Sequence, residues 1–339
     1  MLNVFKWFSQ DLAIDLGTAN TLIYVPEKGI VVNEPSYVAW DMRTNKIVAI
    51  GHDAKKMYGM VPKEIQVIRP LKDGVIADFT MTTEMLKHFI KKAIKRTRFL
   101  RPRVVIAVPS GITEVEKKAV RDSAMQVGVN KVTMILEPMA AAIGAQLPVQ
   151  QPIGNMVVDI GGGTTDVAVI TMAGIATGHS LRIAGDKMDE VIIRYLRHKY
   201  NLLIGVKTAE AIKRTVGSAY PLQVERSAEV RGRDMALGMP SIAKISSEEI
   251  REALAEPVFA IVESVRQTLE DTPPELAADI MESGVVLTGG GAMLENLDYK
   301  IKEETKLPVA LIDDSLTSVV LGAGMTLTDP ELLKKIAIE

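Results

Sequence analysis

Apolar residues along this chain fall into short runs broken by clusters of Gly, Thr and Asn, and two of these runs echo one another. Residues 12–25 read LAIDLGTANTLIYV and residues 156–170 read MVVDIGGGTTDVAVI. Asp15 aligns with Asp159, Gly17 with Gly161 and Thr21 with Thr165, and strand-like apolar runs flank both turns. Each copy predicts a β-hairpin with a tip of small residues. A second echo follows each hairpin. VVIAV at 104–108 leads through Pro-Ser-Gly to a helical stretch from Thr113 to about Val127, then to TMILEPMAAAIGA. VVLT at 285–288 leads through GGGAML to a helical stretch reaching Glu304, then to VALIDDSLTSVVLGAGM. The pattern is that of two duplicated α/β domains whose hairpins face each other across a cleft.

Two insertions interrupt the echo. Residues 34–75 hold β-like PSYVAW and NKIVAI and a turn region at Pro70–Gly74. Residues 182–245 begin with a helix-like DKMDEVIIRYLRHKYN and contain TAEAIKRTVGSA. A capping box, Ser246-Ser-Glu-Glu249, then opens a helix toward Glu270, and Pro273-Pro274 ends it. The expected organisation is a domain I of residues 1–147 plus 315–339, with a smaller subdomain at about 34–75. Domain II spans 148–314, with a smaller subdomain at about 182–245.

Composition narrows the chemistry. With 339 residues, 47% apolar and 24% charged, the chain is globular and buries a large core. The absence of cysteine excludes disulfide scaffolds, thiolate zinc sites and thiol catalysis. His52, His88, His179 and His198 are far apart and show no ligand spacing. A net charge of −2 gives no bulk basicity for nucleic acid. No run of 18 apolar residues and no signal peptide is present, so the expected compartment is the cytoplasm. P-loop, Rossmann, G-x-S-x-G and H-E-x-x-H motifs are missing.

What remains is the pair of hairpin tips. Phosphates need backbone N–H groups that approach closely, which small residues allow. Gly17-Thr18-Ala19-Asn20 supplies one such tip and Gly161-Gly162-Gly163-Thr164, followed by Thr165, the other. Asp15 and Asp159 would hold Mg²⁺ through its retained waters. The alternative is two ordinary tight hairpins with solvated aspartates, and the in-register duplication favours phosphate. Glu137 has two readings: an acid at the favourable end of a helix, or the group that polarises a water attacking a γ-phosphate beside the Thr164 hydroxyl. Glu210 and Lys213 form either a solvated i,i+3 pair or contacts to ribose and adenine. Gly289-Gly290-Gly291 is either a plain turn or backbone lying against an adenine, with the next helix N-terminus near a phosphate. Small residues at 140–144 and 319–324 would let two helices pack closely at the domain junction.

Two surface segments suggest a membrane. Residues 1–9 put Leu2, Phe5, Trp7 and Phe8 on one helical arc and hold three of the chain's 15 aromatics. Residues 87–103 carry eight Lys or Arg, no acid, and Phe99-Leu100. Together they read as a surface for anionic lipid.

The DLGTANT and DIGGGTTD loops, with EPMAAAIGA and VVLTGGGAM, resemble the actin/Hsp70/sugar-kinase superfamily of ATPases. Within it, DLAIDLGTANTLIYV, VPSGIT, TAEAIKRTVGSAYP and the run from PPELAADI to VVLTGGGAML are similar to the MreB family of bacterial actin-like proteins. The resemblance implies a duplicated actin-like, ribonuclease H-like fold of two domains and four subdomains around a nucleotide cleft. It implies phosphate contacts at Thr18, Ala19, Asn20 and residues 161–164, with Mg²⁺ near Asp15 and Asp159. Hydrolytic roles fall on Glu137 and Thr164, and nucleoside contacts on Glu210, Lys213, Gly289, Gly290, Gly291 and Ala292. Gly185 joins the site, although related proteins often carry Gly-Gly where this chain has Ala184-Gly185. The implied function is a slow ATPase that forms filaments on the inner face of the cytoplasmic membrane and organises cell-wall elongation. The implied partners are itself and wall-elongation proteins such as RodZ, MreC and MreD. A small-molecule kinase would share the phosphate clamp but needs a substrate pocket and a catalytic aspartate. A chaperone of the Hsp70 type would need a peptide-binding domain, and none is expected after Glu339.

Overall fold

The computed structural model describes residues 11–94 and 101–338. β1 (Leu12–Leu16) and β2 (Asn20–Val25) form the first hairpin, antiparallel from Ala13↔Tyr24 to Leu16↔Thr21, and β3 (Gly29–Pro35) extends it. Alternation along β1 sends Leu12, Ile14 and Leu16 into one core and Ala13 into another, so the sheet is covered on both faces. β4 (Val38–Asp41), β5 (Lys46–Ile50) and β6 (Ile65–Ile68) build a separate small sheet against α1 (His52–Met57). β7 (Leu71–Lys72) and β8 (Val75–Ile76) make a ribbon turned by Asp73-Gly74, both at positive φ, as a two-residue Asp-Gly hairpin requires. α2 (Phe79–Ala93), β9 (Arg103–Val108), α3 (Glu114–Gln126), β10 (Lys131–Leu136) and α4 (Glu137–Gly144) complete the first half.

The second half repeats the scheme. β11 (Asn155–Ile160), β12 (Thr165–Thr171) and β13 (Gly174–Leu181) form its meander. α5 (Gly185–Tyr200), β14 (Leu202–Leu203), α6 (Val206–Val216), β15 (Ser227–Asp234) and β16 (Pro240–Ser246) follow. α7 (Ser247–Glu270) starts at the expected capping box, Ser246 with Glu249. α8 (Pro274–Ser283), β17 (Val285–Thr288), α9 (Leu297–Thr305), β18 (Val309–Leu311), α10 (Ser318–Thr326) and α11 (Pro330–Ile336) close the chain. The two large sheets have orders β3-β2-β1-β9-β10 and β13-β12-β11-β17-β18, the same topology strand for strand. In each, the hairpin strands are antiparallel and the last two strands are parallel to the first.

One local expectation is corrected. No helix begins at the three glycines: Gly291–Met293 is a single 3₁₀ turn, Asn296 adopts φ 61°, and α9 starts only at Leu297. A helix N-terminus is therefore not what Gly289–Gly291 offers to a phosphate. No helix among the described residues is long and apolar enough to cross a membrane. Leu2, Phe5, Trp7, Phe8, Phe99 and Leu100 lie outside the described residues.

A third core joins the halves. α4 and α10 lie between the sheets, with Ala140, Ala141, Ala142, Val319 and Ala323 packed against Val105 and Ala107 of one sheet and Val157 and Ile170 of the other. The approach is backbone to backbone. A Cβ on Gly322 would overlap the Ala140 carbonyl oxygen, and one on Gly144 would overlap the Ser318 carbonyl. Two effects of Gly322→Ala thus oppose each other. Helix propensity favours alanine by about 1 kcal/mol, whereas overpacking against backbone costs about 1–3 kcal/mol. Since a carbonyl cannot rotate away, overpacking wins: Gly322→Ala is expected to lower the urea-unfolding free energy. An unchanged or higher midpoint would show that the helices separate freely.

Candidate functional site

The two hairpin tips meet. A Cβ built on Gly162 would lie 2.7 Å from the Ala19 Cβ, and one on Gly163 would lie 2.7 Å from the Thr18 Oγ1. Only glycine lets the second tip come this close to the first. The Asp73-Gly74 turn of the β7–β8 ribbon leans on both: Gly74 N–H donates to Thr18 Oγ1 at 3.0 Å, and a Gly74 Cβ would lie 2.6 Å from the Thr164 methyl. The second tip is held in turn by α5, where Gly185 N–H donates to the Gly161 carbonyl at 3.2 Å and Asp186 N–H to the Gly162 carbonyl at 2.8 Å.

Around the tips opens a cleft of about 620 Å³, a size suited to a small-molecule ligand. Residues 17–20, 161–164 and 289–291 line it, together with Asp15, Glu137, Asp159, Gly185, Glu210 and Lys213. Two expected members do not face it. Thr165 is fully buried and donates its hydroxyl to the Ile183 carbonyl at 2.7 Å, because β12 begins there and turns that side chain inward. Ala292 is packed into the core of the second half.

The site is acidic. Burial pushes Asp15 up to about 7. Burial, then the charges of Asp166 and Asp15, push Asp159 up to about 8. Glu137 is driven well above the ordinary carboxylate range, first by burial and then by Asp166, Asp15 and Asp159. No cation contributes to any of the three. Asp159, only 6% exposed, is not a solvated aspartate, whereas Asp15 is half-buried at the wall of the cleft.

Comparison with known proteins places this geometry. The family model described as MreB/Mbl protein matches residues 9–335. The chain belongs to the MreB/Mbl family. It is 54% identical over 336 residues to the cell shape-determining protein MreB of Escherichia coli K12, covering 96% of each chain. The crystal structure of MreB5 of Spiroplasma citri bound to AMPPNP superposes with a TM-score of 0.90 at 40% identity, over 95% of this chain and 98% of that one. MamK in a double helical filament shares the fold, with a TM-score of 0.80 at 22% identity over 94% of this chain and 99% of that one.

The cleft of this MreB/Mbl-family chain also holds contacts that spacing did not reveal. Glu210 and Lys213 share a helix but do not pair with each other. Glu210 meets Lys55 of the small sheet's helix at 3.2 Å, whereas Lys213 meets Asp189 at 2.9 Å and donates to the Gly185 carbonyl at 2.7 Å. Arg69 and Asp186 form an ion pair at 2.6 Å. Asp166, 1% exposed, accepts the Ser110 N–H at 2.8 Å, so a carboxylate of the second half docks a loop of the first. For Arg69 the sequence signal is the turn region at Pro70–Gly74, which marks a ribbon but not its target.

The acids set a pH dependence. Asp15 and Asp159 hold protons more tightly in the folded than in the unfolded chain, so their stabilising contribution is full below about pH 4 and is lost as pH rises through about 7 and 8. In ligand-free protein, Asp159→Asn is expected to lessen the fall in Tm between pH 5 and 8. Parallel Tm-against-pH curves for variant and wild type, measured by scanning fluorimetry, would contradict this.

Proposed function

We propose that the chain is an ATP-binding, slowly hydrolysing subunit of an actin-like filament that determines cell shape. The observation that carries this reading is the contact of two glycine tips beside buried, unpaired carboxylates, in a cleft between two duplicated halves. Domain I would be residues 1–147 plus 315–339 and domain II residues 148–314. Backbone N–H groups of residues 17–20 and 161–164 take the phosphates. The nucleoside lies between Glu210, Lys213 and the Gly289–Gly291 backbone. That an MreB5 and MamK are described with AMPPNP or as a filament supports both nucleotide binding and self-association.

The donor set fits Mg²⁺. Asp15 and Asp159 are buried without a cation partner, yet no group of three His, Asp or Glu among the described residues is close enough to chelate a metal alone. Such a pair suits an ion that keeps waters and shares phosphate oxygens, and bound there it would neutralise phosphate charge. Glu137, opening α4 at the cleft wall, would accept a proton from the attacking water once a bound cation offsets the neighbouring acids and lets it ionise, and the Thr164 hydroxyl would orient that water. The kinase reading is not favoured by a family whose curated members are cell shape-determining proteins. Localisation at the inner membrane face, through Leu2, Phe5, Trp7, Phe8, Phe99 and Leu100, and contact with RodZ, MreC and MreD complete the proposal.

Sedimentation tests it. Wild type is expected to pellet with Mg-ATP and less with ADP. Glu137→Ala keeps ATP affinity within several-fold but slows phosphate release by roughly 10²–10⁴, the worth of a positioned general base. A protein monomeric under all conditions, or a variant with wild-type turnover, would sink the reading. For the membrane, each buried apolar side chain offers about 1.5–3 kcal/mol before ordering costs, and a filament multiplies the anchor. Deleting residues 1–9 is expected to release filaments from anionic liposomes while leaving pelleting intact. Undiminished flotation after that deletion combined with Phe99→Ser and Leu100→Ser would remove the lipid role.

A further inference from the structure

Arg69 stands between the small sheet and the β7–β8 ribbon, and its contacts are unusual for a cleft arginine. One nitrogen, Nη2, donates to the Thr18 carbonyl at 3.1 Å and to the Asp186 carboxylate at 2.6 Å. A guanidinium Nη carries two N–H groups, so both are used. Thr18 belongs to the first glycine tip. Asp186 lies in the first turn of α5, and its own N–H holds the Gly162 carbonyl of the second tip at 2.8 Å. A single nitrogen therefore links the two tips through one intervening residue, Asp186. The guanidinium also lies over the Tyr37 ring, 5.7 Å from its centre, which limits its swing.

The charge of Arg69 is matched by Asp186, so the pair adds little net positive potential for a phosphate. Its value lies in geometry. Backbone N–H groups bind an anion well only when their directions are fixed beforehand. The first tip has no helix behind it, since β1 and β2 simply turn at residues 17–19, and its carbonyl at Thr18 is the group that Arg69 restrains.

We infer that Arg69 is a positioning residue for phosphate binding, tying the two glycine tips into one anion-binding surface through the Thr18 carbonyl and Asp186. The inference rests on the ATP-binding reading above. It separates two ligand parts: the phosphates depend on the tie, whereas the nucleoside, held by Glu210, Lys213 and residues 289–291, does not. Lysine cannot replace it fully, because an ammonium lacks the planar fork that holds both acceptors in fixed directions.

The test measures dissociation of a fluorescent ATP analogue, with Mg²⁺, from wild type, Arg69→Ala, Asp186→Ala and the double variant. Each single change is expected to speed release about ten- to a hundred-fold, the loss of a charge-assisted hydrogen bond. The double variant is expected to be no faster than the faster single one, because both cut the same link. Adenosine, competing alone, is expected to bind all four proteins equally. Arg69→Lys, which keeps the charge and the fold, is expected to fall between wild type and Arg69→Ala. Additive effects in the double variant, or equal loss of adenosine and ATP, would overturn the tie while leaving the ATP site standing. Wild type that fails to retain the analogue would remove the ATP reading and the tie together.

Discussion

The backbone contact between α4 and α10 is the constraint on which the rest depends. These helices touch where Gly322 faces the Ala140 carbonyl and Gly144 faces the Ser318 carbonyl, so no side chain separates them. Their outer faces meet the inner faces of both large sheets. That contact fixes how far apart the sheets stand, and hence whether the loops at their ends can meet. With bulkier residues at 144 or 322, the tips at residues 17–20 and 161–164 would part company, and the acids below them would open to water.

Burying acids is costly unless something offsets the charge. Here Asp15, Glu137, Asp159 and Asp166 are gathered with no lysine or arginine among the described residues balancing them, although Arg69, Lys55 and Lys213 stand at the edge of the same cleft. Those edge cations are all engaged: Arg69 with Asp186, Lys55 with Glu210, Lys213 with Asp189. The separation of roles is physical. The Arg69–Asp186 and Lys55–Glu210 pairs tie the walls of the two halves together, while the acids of the floor hold their protons unusually tightly.

Much of this was legible in the sequence because local chemistry dictated it. The two glycine-tipped hairpins, the Ser246–Glu249 capping box and the Glu137-Pro138 helix start each follow from a few adjacent residues, and the duplicated succession of elements matches the shared topology of the two sheets. What stayed hidden needed distance. Arg69 and Asp186 are 117 positions apart and Lys55 and Glu210 are 155 apart, so no periodicity could pair them. Lys213 chose Asp189 over its helix neighbour Glu210 because α5 packs alongside α6. Thr165, which the echo matches to Thr21, and Ala292, which the resemblance implies, each lie one step along a strand or turn past a lining residue and so face inward.

The chain passes from the first sheet to the second after α4, through residues 145–154, and returns to the first before α10, through residues 312–317. Both crossings thus emerge beside the same pair of helices. Two covalent links so close together place the chain's only crossings at one edge of the cleft, so the opposite edge is held by side-chain contacts alone, among them Arg69 with Asp186 and Lys55 with Glu210. At that opposite edge α1 and α6 meet, through Lys55 with Glu210 and Lys207 donating to the Lys56 carbonyl. The glycine contact at the centre of the molecule therefore sets the geometry of the distant cleft rim, where Lys55 and Glu210 meet.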